Sequence, residues 1–307
     1  MRILIIGGTA LVGPHLIREL SSDRATRIWT LTRAGRPYFT EDALTGDRRD
    51  AATLRDALET ARPDVVVDMI PFTQADAQGL AQAARTYGHP VRLVALSSID
   101  VYAAYGRLHG TEEVPLQPVP ITETMALRQK LGFDGAAYDK LGIERIYREA
   151  FTDLTLLRLP AIYGWPDTTR VLPYLDQMLD GAETITLPAD RAAFRFSRGL
   201  HKNIALAAAL TVMHPGGGQK IYNVAEPRAF SELDWIRKIA AACGWRGETI
   251  VEPSAHPNTP VQHLEVASDA IRRDLGFHEK YDVDEGLADT VAFHAYQRLG
   301  KPYRKYY

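Results

Sequence analysis

Where the first apolar run, Ile3 to Ile6, ends, the chain reads Gly7-Gly8-Thr9-Ala10-Leu11-Val12-Gly13 and passes into a helical pattern at Pro14. A glycine turn between a strand and a helix exposes backbone N–H groups, and the helix N-terminus adds a partial positive charge. The arrangement therefore suits the pyrophosphate of a dinucleotide. A second anion-seeking set, Arg191, Arg195 and Arg198, is spaced so that an extended strand could present its guanidinium groups together, as a diphosphate-bearing substrate requires. An ordinary surface strand with ion pairs is the competing reading. Other chemistries leave no trace. The 9 histidines form no metal-ligand pair on one helix face, no Gly-x-Ser-x-Gly elbow occurs, and the single cysteine, Cys243, excludes an intramolecular disulfide and reads as a buried helix residue. No metal site is expected.

These groups need a scaffold, and the hydrophobic pattern supplies one. Apolar runs rich in β-branched residues recur at Ile3 to Ile6, Arg27 to Thr32, Val65 to Met69, Arg92 to Leu96 and Thr155 to Leu159. Helical spacing fills the intervals at Pro14 to Ser21, Ala51 to Thr60, Ala75 to Thr86 and Tyr138 to Phe151. Strands apolar on both faces belong to a parallel sheet covered by helices on each side, so this half predicts a doubly wound α/β fold. After Leu159 the pattern breaks into Pro- and Gly-punctuated pieces with short helices at Val171 to Leu179, His201 to Met213, Ser231 to Cys243 and Ala267 to Leu275. Ser231, with Asp234 three residues on, reads as a helix N-cap. A smaller C-terminal lobe is expected, with residues 1–164 and 199–225 forming the dinucleotide-binding domain and 165–198 and 226–307 the substrate-binding lobe.

The chain has 307 residues, 46% of them hydrophobic, enough to bury a core without covalent staples. Its 36 Lys and Arg against 38 acidic residues give little general attraction to nucleic acid. Lys301, Arg304 and Lys305 with three tyrosines make one basic aromatic tail, read as a solvated or dimer-packed terminus. The N-terminus lacks the apolar length of a secretory signal, and no stretch reaches the length of a membrane helix. A cytoplasmic protein with no membrane partner is the expectation.

In the order of its motifs the chain resembles the extended short-chain dehydrogenase/reductase family, which includes nucleotide-sugar epimerases and dehydratases on a Rossmann fold. The family's Gly-x-x-Gly-x-x-Gly loop appears with Gly7 and Gly13 kept and Ala10 in the middle. Gly46-Asp47-Arg48-Arg49-Asp50 looks like its adenine-contacting turn, Leu96-Ser97-Ser98-Ile99-Asp100-Val101-Tyr102 like its catalytic-serine strand end, and Leu157-Arg158-Leu159-Pro160-Ala161-Ile162-Tyr163-Gly164 like the strand leading to the substrate lobe. Ile221-Tyr222-Asn223-Val224 and Arg272-Arg273-Asp274-Leu275-Gly276-Phe277 are similar to its late strand and C-terminal helix.

The resemblance implies a nicotinamide dinucleotide held by residues 7 to 13 with Asp47, Arg48, Met69, Ile70, Lys140 and Pro160. Thr32-Arg33 with Arg36, where the family uses an acid on the ribose, favours NADP over NAD. It also implies a Ser or Thr that orients the substrate oxygen, a Tyr that transfers the proton and a Lys four residues after that Tyr. Ser98 and Lys140 fill two of these places, but the third holds Ala136, which has no proton to give. Tyr138 is the first substitute, with Tyr102 and Asp100 behind it. At about 100° per residue a regular helix would turn Tyr138 away from Lys140. Gly132 and Gly135 permit a late helix start that would avoid this. Substrate contacts are expected from Ser98, Tyr163, Arg191, Arg195 and Arg198. The leading reading is an NAD(P)-dependent oxidoreductase or epimerase acting on an alcohol or carbonyl of a sugar-like or small polar substrate. A catalytically degenerate dinucleotide sensor or RNA-associated protein is the alternative, and the family's pairing through helices flanking the lysine implies a homodimer.

Overall fold

A strand with four consecutive apolar residues has no face to give to water, and in β1 (Arg2–Ile6) Ile3 to Ile6 are wholly buried. The computed structural model describes residues 1–39, 41–132, 134–255 and 261–300, so the basic tail with Lys301, Arg304 and Lys305 lies outside the described residues. From β1 the chain turns into α1 (Gly13–Leu20) and continues through β2 (Arg27–Thr32), β3 (Asp42–Thr45), α2 (Ala51–Ala61), β4 (Val65–Asp68), α3 (Gln74–Tyr87) and β5 (Arg92–Ser98). A 3-10 turn, Ile99–Val101, leads into α4 (Ala103–Leu108), and α5 (Lys140–Ala150) returns the chain to β6 (Leu154–Leu159). Next come β7 (Ala161–Tyr163), α6 (Leu172–Leu179), β8 (Thr184–Pro188), α7 (Ala189–Ala193), β9 (Arg198–Leu200) and α8 (His201–Met213). The order closes with β10 (Gln219–Asn223), α9 (Glu232–Cys243), β11 (Glu248–Glu252), α10 (Asp269–Leu275) and α11 (Val283–Arg298).

Seven strands form one parallel sheet in the order β10-β6-β5-β4-β1-β2-β3. Successive side chains of a strand point to opposite faces. Ile3 and Ile5 accordingly pack with Leu16 and Ile17 of α1 and Ile204 and Ala208 of α8. Leu4 and Ile6 pack with Leu54 and Leu58 of α2, Leu80 of α3 and Ile143 of α5. The doubly wound sheet is thus the one the apolar runs dictate. Because the strand order reverses beside β1, a crevice opens at the carboxyl ends of β1 and its neighbours, where ligands of such sheets bind.

A separate apolar cluster gathers Leu175 of α6, Ile185 of β8, Trp235 and Ile239 of α9 and Leu287 of α11. Ile271 of α10 and Phe277 join the sheet's own core instead. Ser231 caps α9 as its spacing predicts, accepting the Asp234 N–H at 3.1 Å. Cys243 ends α9 half-buried rather than buried, its Sγ 3.6 Å from Met178 Sδ. The largest departure lies before α5. A helix from Tyr138 is expected, yet it starts at Lys140, because Asp139 caps it by accepting the Gly142 N–H at 2.9 Å while its own N–H donates to the Phe72 carbonyl at 2.8 Å.

Candidate active site

Gly7 and Gly8 carry φ of +98° and +92°, a backbone open to glycine and strained for other residues. A Cβ on Gly13 would lie 2.3 Å from the Gly8 backbone, so the loop closes on itself only with glycine there. No side chain caps α1, although its first two residues have no N–H to spare, since Gly13 donates to the Ala10 carbonyl at 2.9 Å and Pro14 has none. Thr9 and Ala10 are exposed on the outer side. Ile70 closes the inner side, 3.1 Å from where a Gly7 Cβ would sit, and Met69 Sδ lies 3.7 Å from the equivalent point on Gly8. The residues fit a pyrophosphate, since backbone donors, a bare helix start and space without Cβ atoms coincide.

Arg33 and Arg36 follow β2 with exposed side chains. Asp47 is half-buried, and hydrogen bonds from Arg49 hold its carboxyl well below the usual carboxylate range. Arg48 departs from expectation. Its guanidinium is buried and bound to both carboxyl oxygens of Asp68 and to the Asp76 carbonyl, so its side chain is committed to the protein interior. Sequence reasoning missed Tyr38, whose hydroxyl donates to the Thr9 carbonyl at 2.7 Å and ties the β2–β3 loop to the glycine loop. No local pattern announces that contact, since its partners lie 29 residues apart.

At the far end of the crevice, Ser98 ends β5 and Lys140 opens α5. The Lys140 ammonium donates to the Pro71 carbonyl at 2.6 Å and the Leu96 carbonyl at 3.2 Å, which leaves one of its three N–H donors. Burial lowers it to about 8, while the nearby Asp100 and Asp68 carboxylates resist the shift. Tyr138 precedes the helix in a non-helical conformation, φ −143° and ψ 84°, rather than on the helix face turned away from Lys140. Its ring centroid is 5.2 Å from Lys140 Nζ, and it lines the same cavity as Ser98. Ser98, Tyr138 and Lys140 therefore come together, whereas Ala136 is exposed on a 3-10 turn.

Ser98, Asp100, Tyr138 and Pro160 line a cavity of about 520 Å³. It shares Tyr105, Arg170, Phe196 and Leu264 with an adjoining cavity of about 1210 Å³ that reaches Arg191 and Arg198. Asp100 is buried, and desolvation raises its carboxyl to about 6.

Three expectations fail here. Tyr102 is 1% exposed, and its hydroxyl donates to Asn223 at 2.6 Å and accepts from Arg158 at 3.0 Å, so it belongs to the core and not to the cavity. Tyr163 is equally enclosed, with its hydroxyl on Glu226 at 2.7 Å. The three arginines do not form one clamp. Arg191 lies on α7 and pairs with Glu232 at 3.3 Å, Arg198 on β9 pairs with the same carboxylate at 2.5 Å, and Arg195 pairs with Glu265 at 2.7 Å away from the cavity. Each guanidinium meets an acid from a distant segment, which spacing along the chain does not reveal. Arg170, unforeseen, lines the smaller cavity, and Arg128, equally unforeseen, stands 3.8 Å from the Asp100 carboxyl. Among the described residues no group of three or more His, Cys, Asp or Glu could hold a metal, and no helix is long and apolar enough to cross a membrane.

Comparison with known proteins follows the same geometry. The model of the NAD dependent epimerase/dehydratase family matches residues 3–225. No curated protein matches the chain. Among solved structures, a UDP-glucose 4-epimerase of Thermotoga maritima with UDP-glucose superposes with a TM-score of 0.74 at 17% identity, covering 97% of this chain and 100% of that one. A UDP-glucose 4-epimerase of Thermus thermophilus in complex with NAD gives 0.70 at 20% identity over 95% and 98% of the two chains. A dTDP-glucose 4,6-dehydratase of Bacillus anthracis in complex with NAD gives 0.72 at 15% identity over 97% of each. At such identities the likeness is one of fold.

Proposed function

The chain belongs to the NAD dependent epimerase/dehydratase family, and on that premise we propose that it is an enzyme moving a hydride between a nicotinamide dinucleotide and an alcohol or carbonyl carbon of a nucleotide-sugar-like substrate. The observation that carries this reading is that Ser98 and Tyr138 line one cavity while the ammonium of the buried Lys140 lies 5.2 Å from the Tyr138 ring centroid. The loop from Gly7 to Gly13 would hold the pyrophosphate, Asp47 and the main chain of Arg48 the adenine end, and Met69, Ile70 and Pro160 the walls of the crevice. When bound, the nicotinamide accepts a hydride from, or returns one to, the substrate carbon.

This chain's residues do the rest. Ser98 hydrogen-bonds the reacting oxygen and fixes its distance from the ring. Lys140 gives its remaining N–H to a ribose hydroxyl and places positive charge beside the phenol of Tyr138, which hydrogen-bonds the same oxygen. Arg170, exposed where the two cavities meet, is suited to a substrate phosphate. NADP is the form we favour, because β2 is followed by exposed Arg33 and Arg36 instead of an acid. A cytoplasmic homodimer paired through α3 and α5, which pack side by side, completes the proposal.

The test is to denature the purified protein, identify released nucleotide by mass spectrometry, and titrate emptied protein with NAD and NADP by calorimetry. Retained NAD favours internal redox as in an epimerase, and an empty site that prefers NADP favours a reductase. No released nucleotide and no heat at millimolar NAD or NADP would refute the reading.

A further inference from the structure

Two carboxyls line the smaller cavity, and they differ in kind. Asp134 is exposed to solvent, whereas Asp100 is 5% exposed and its Oδ1 is buried with no hydrogen-bond partner. A buried carboxyl oxygen without a donor is costly to keep. The backbone fixes it in place. Its N–H donates to Ser98 Oγ at 3.3 Å, and its carbonyl accepts from Arg128 Nε at 2.7 Å. Arg128 Nη2 stands 3.8 Å from the carboxyl, too far for a hydrogen bond.

The groups facing Asp100 are Arg128, Lys140, Glu144, Ser98, Tyr105 and Tyr138. Burial outweighs the two cations and raises the carboxyl to about 6. Tyr138 is pushed the other way from what a base needs. Burial and the Asp100 charge raise its phenol well above its ordinary value, so at neutral pH it keeps its proton. A tyrosine in that state donates a hydrogen bond well and accepts a proton poorly. The carboxyl titrates close to the working pH, the condition for efficient proton transfer. Ser98 lines the cavity with both, and its hydroxyl oxygen lies 3.3 Å from the Asp100 main-chain nitrogen.

Resting on the hydride-transfer reading above, we propose that Asp100 is the terminal proton acceptor of this site, reached through the hydroxyl of Ser98. In the oxidising direction the C–H bond of the substrate breaks and its hydride passes to the oxidised nicotinamide. The substrate O–H bond breaks as the carbonyl forms. Ser98 takes that proton while giving its own to the Asp100 carboxylate, and Tyr138 hydrogen-bonds the developing oxyanion. The alcohol loses two electrons and two hydrogens, the dinucleotide gains the hydride, and Asp100 ends as the neutral acid. Reduction reverses each step.

The experiment uses the full chain, emptied of nucleotide and labelled with ¹³C-aspartate, and follows carboxyl resonances by NMR against pH. One aspartate resonance is expected to titrate near pH 6, to vanish in Asp100→Asn, and to shift upward in Ser98→Ala, which removes the adjoining hydroxyl that favours the charged form. Should Asp100→Asn fail to fold, the Ser98→Ala shift identifies the resonance. If every aspartate titrates in the ordinary range near about 4, or Ser98→Ala moves none of them, the proposal is overturned. Calorimetry with NAD and NADP on the same samples separates the two claims: binding heat with an ordinary carboxyl removes Asp100 alone, and no heat removes the dinucleotide. With any nucleotide sugar the enzyme turns over, Asp100→Asn lowers kcat by about 100-fold or more and erases the acid limb of the pH profile near 6. Full activity with that limb intact overturns it.

Discussion

Replacing Arg158 by Met should unsettle the catalytic end of the crevice without touching the cavity. Arg158 is 1% exposed on β6 and Glu144 is 2% exposed on α5. The guanidinium binds the carboxylate at 2.7 and 3.0 Å, and also donates to the Tyr102 hydroxyl at 3.0 Å and the Glu123 carbonyl at 3.2 Å. Glu144 in turn accepts from Ser97 at 2.6 Å. One turn before Glu144 is Lys140, and next to Ser97 is Ser98, so the network sets the distance between the two. Arg158→Met leaves a buried carboxylate with only a serine donor. Breaking such a pair costs about 3–5 kcal/mol. At roughly 2 °C per kcal/mol for a chain of this size, the melting temperature should fall by about 6–10 °C. Urea unfolding of Arg158→Met, Glu144→Leu and the double variant gives the coupling, and the double variant should recover most of the loss. The exposed pair Arg27–Asp42, at 3.0 Å, is the control and should contribute under about 1 kcal/mol. A loss below about 1 kcal/mol in Arg158→Met would refute the reasoning.

Other perturbations reach different parts of the site. Gly13→Ala forces a methyl group to within 2.3 Å of the Gly8 backbone and should weaken NAD and NADP at least about tenfold by calorimetry, or about 1.4 kcal/mol. The double variant Arg33→Ala, Arg36→Ala removes the charges proposed for a 2′-phosphate and should lower NADP affinity relative to NAD about tenfold or more, with an unchanged ratio counting against the assignment. Tyr138→Phe should lower turnover, and adding Ala136→Tyr should not restore it, because position 136 is exposed. The raised Asp100 carboxyl also predicts a stability slope. Its folded value of about 6 lies above the unfolded 3.8, so the folded state binds more protons in that window. Stability is then highest below the window and falls by about 3 kcal/mol as pH rises through it. Thermal unfolding of wild type and Asp100→Asn between pH 4 and 7 checks this, and parallel curves would contradict it.

Sequence alone went furthest where chemistry depends on neighbours in the chain. The loop from Gly7 to Gly13 and the strand end at Ser98 are local, and the structure assembles them as the pattern implied, whereas the helix expected from Tyr138 starts at Lys140. Tyr138 was legible only conditionally. Its usefulness turned on where one helix begins, and the signal was Asp139, a good N-cap residue placed just before Lys140. What sequence could not show was decided by partners far away. Tyr102 meets Asn223, 121 residues on, and Arg198 meets Glu232, 34 residues on. Helix α11 escaped because its buried residues include Leu287 and Phe293 together with Asp289, Thr290 and His294, which do not sort into one apolar stripe.

The strand order has a consequence for a chain still being made. Once Leu159 has emerged, six of the seven strands exist, and β6 presents an unpaired edge until Gln219 to Asn223 arrive. Such edges recruit other chains. A nascent polypeptide stalled between those points should be chaperone-dependent and prone to clump. Release after Asn223 should quench that tendency sharply, which ribosome-bound intermediates of graded length would reveal.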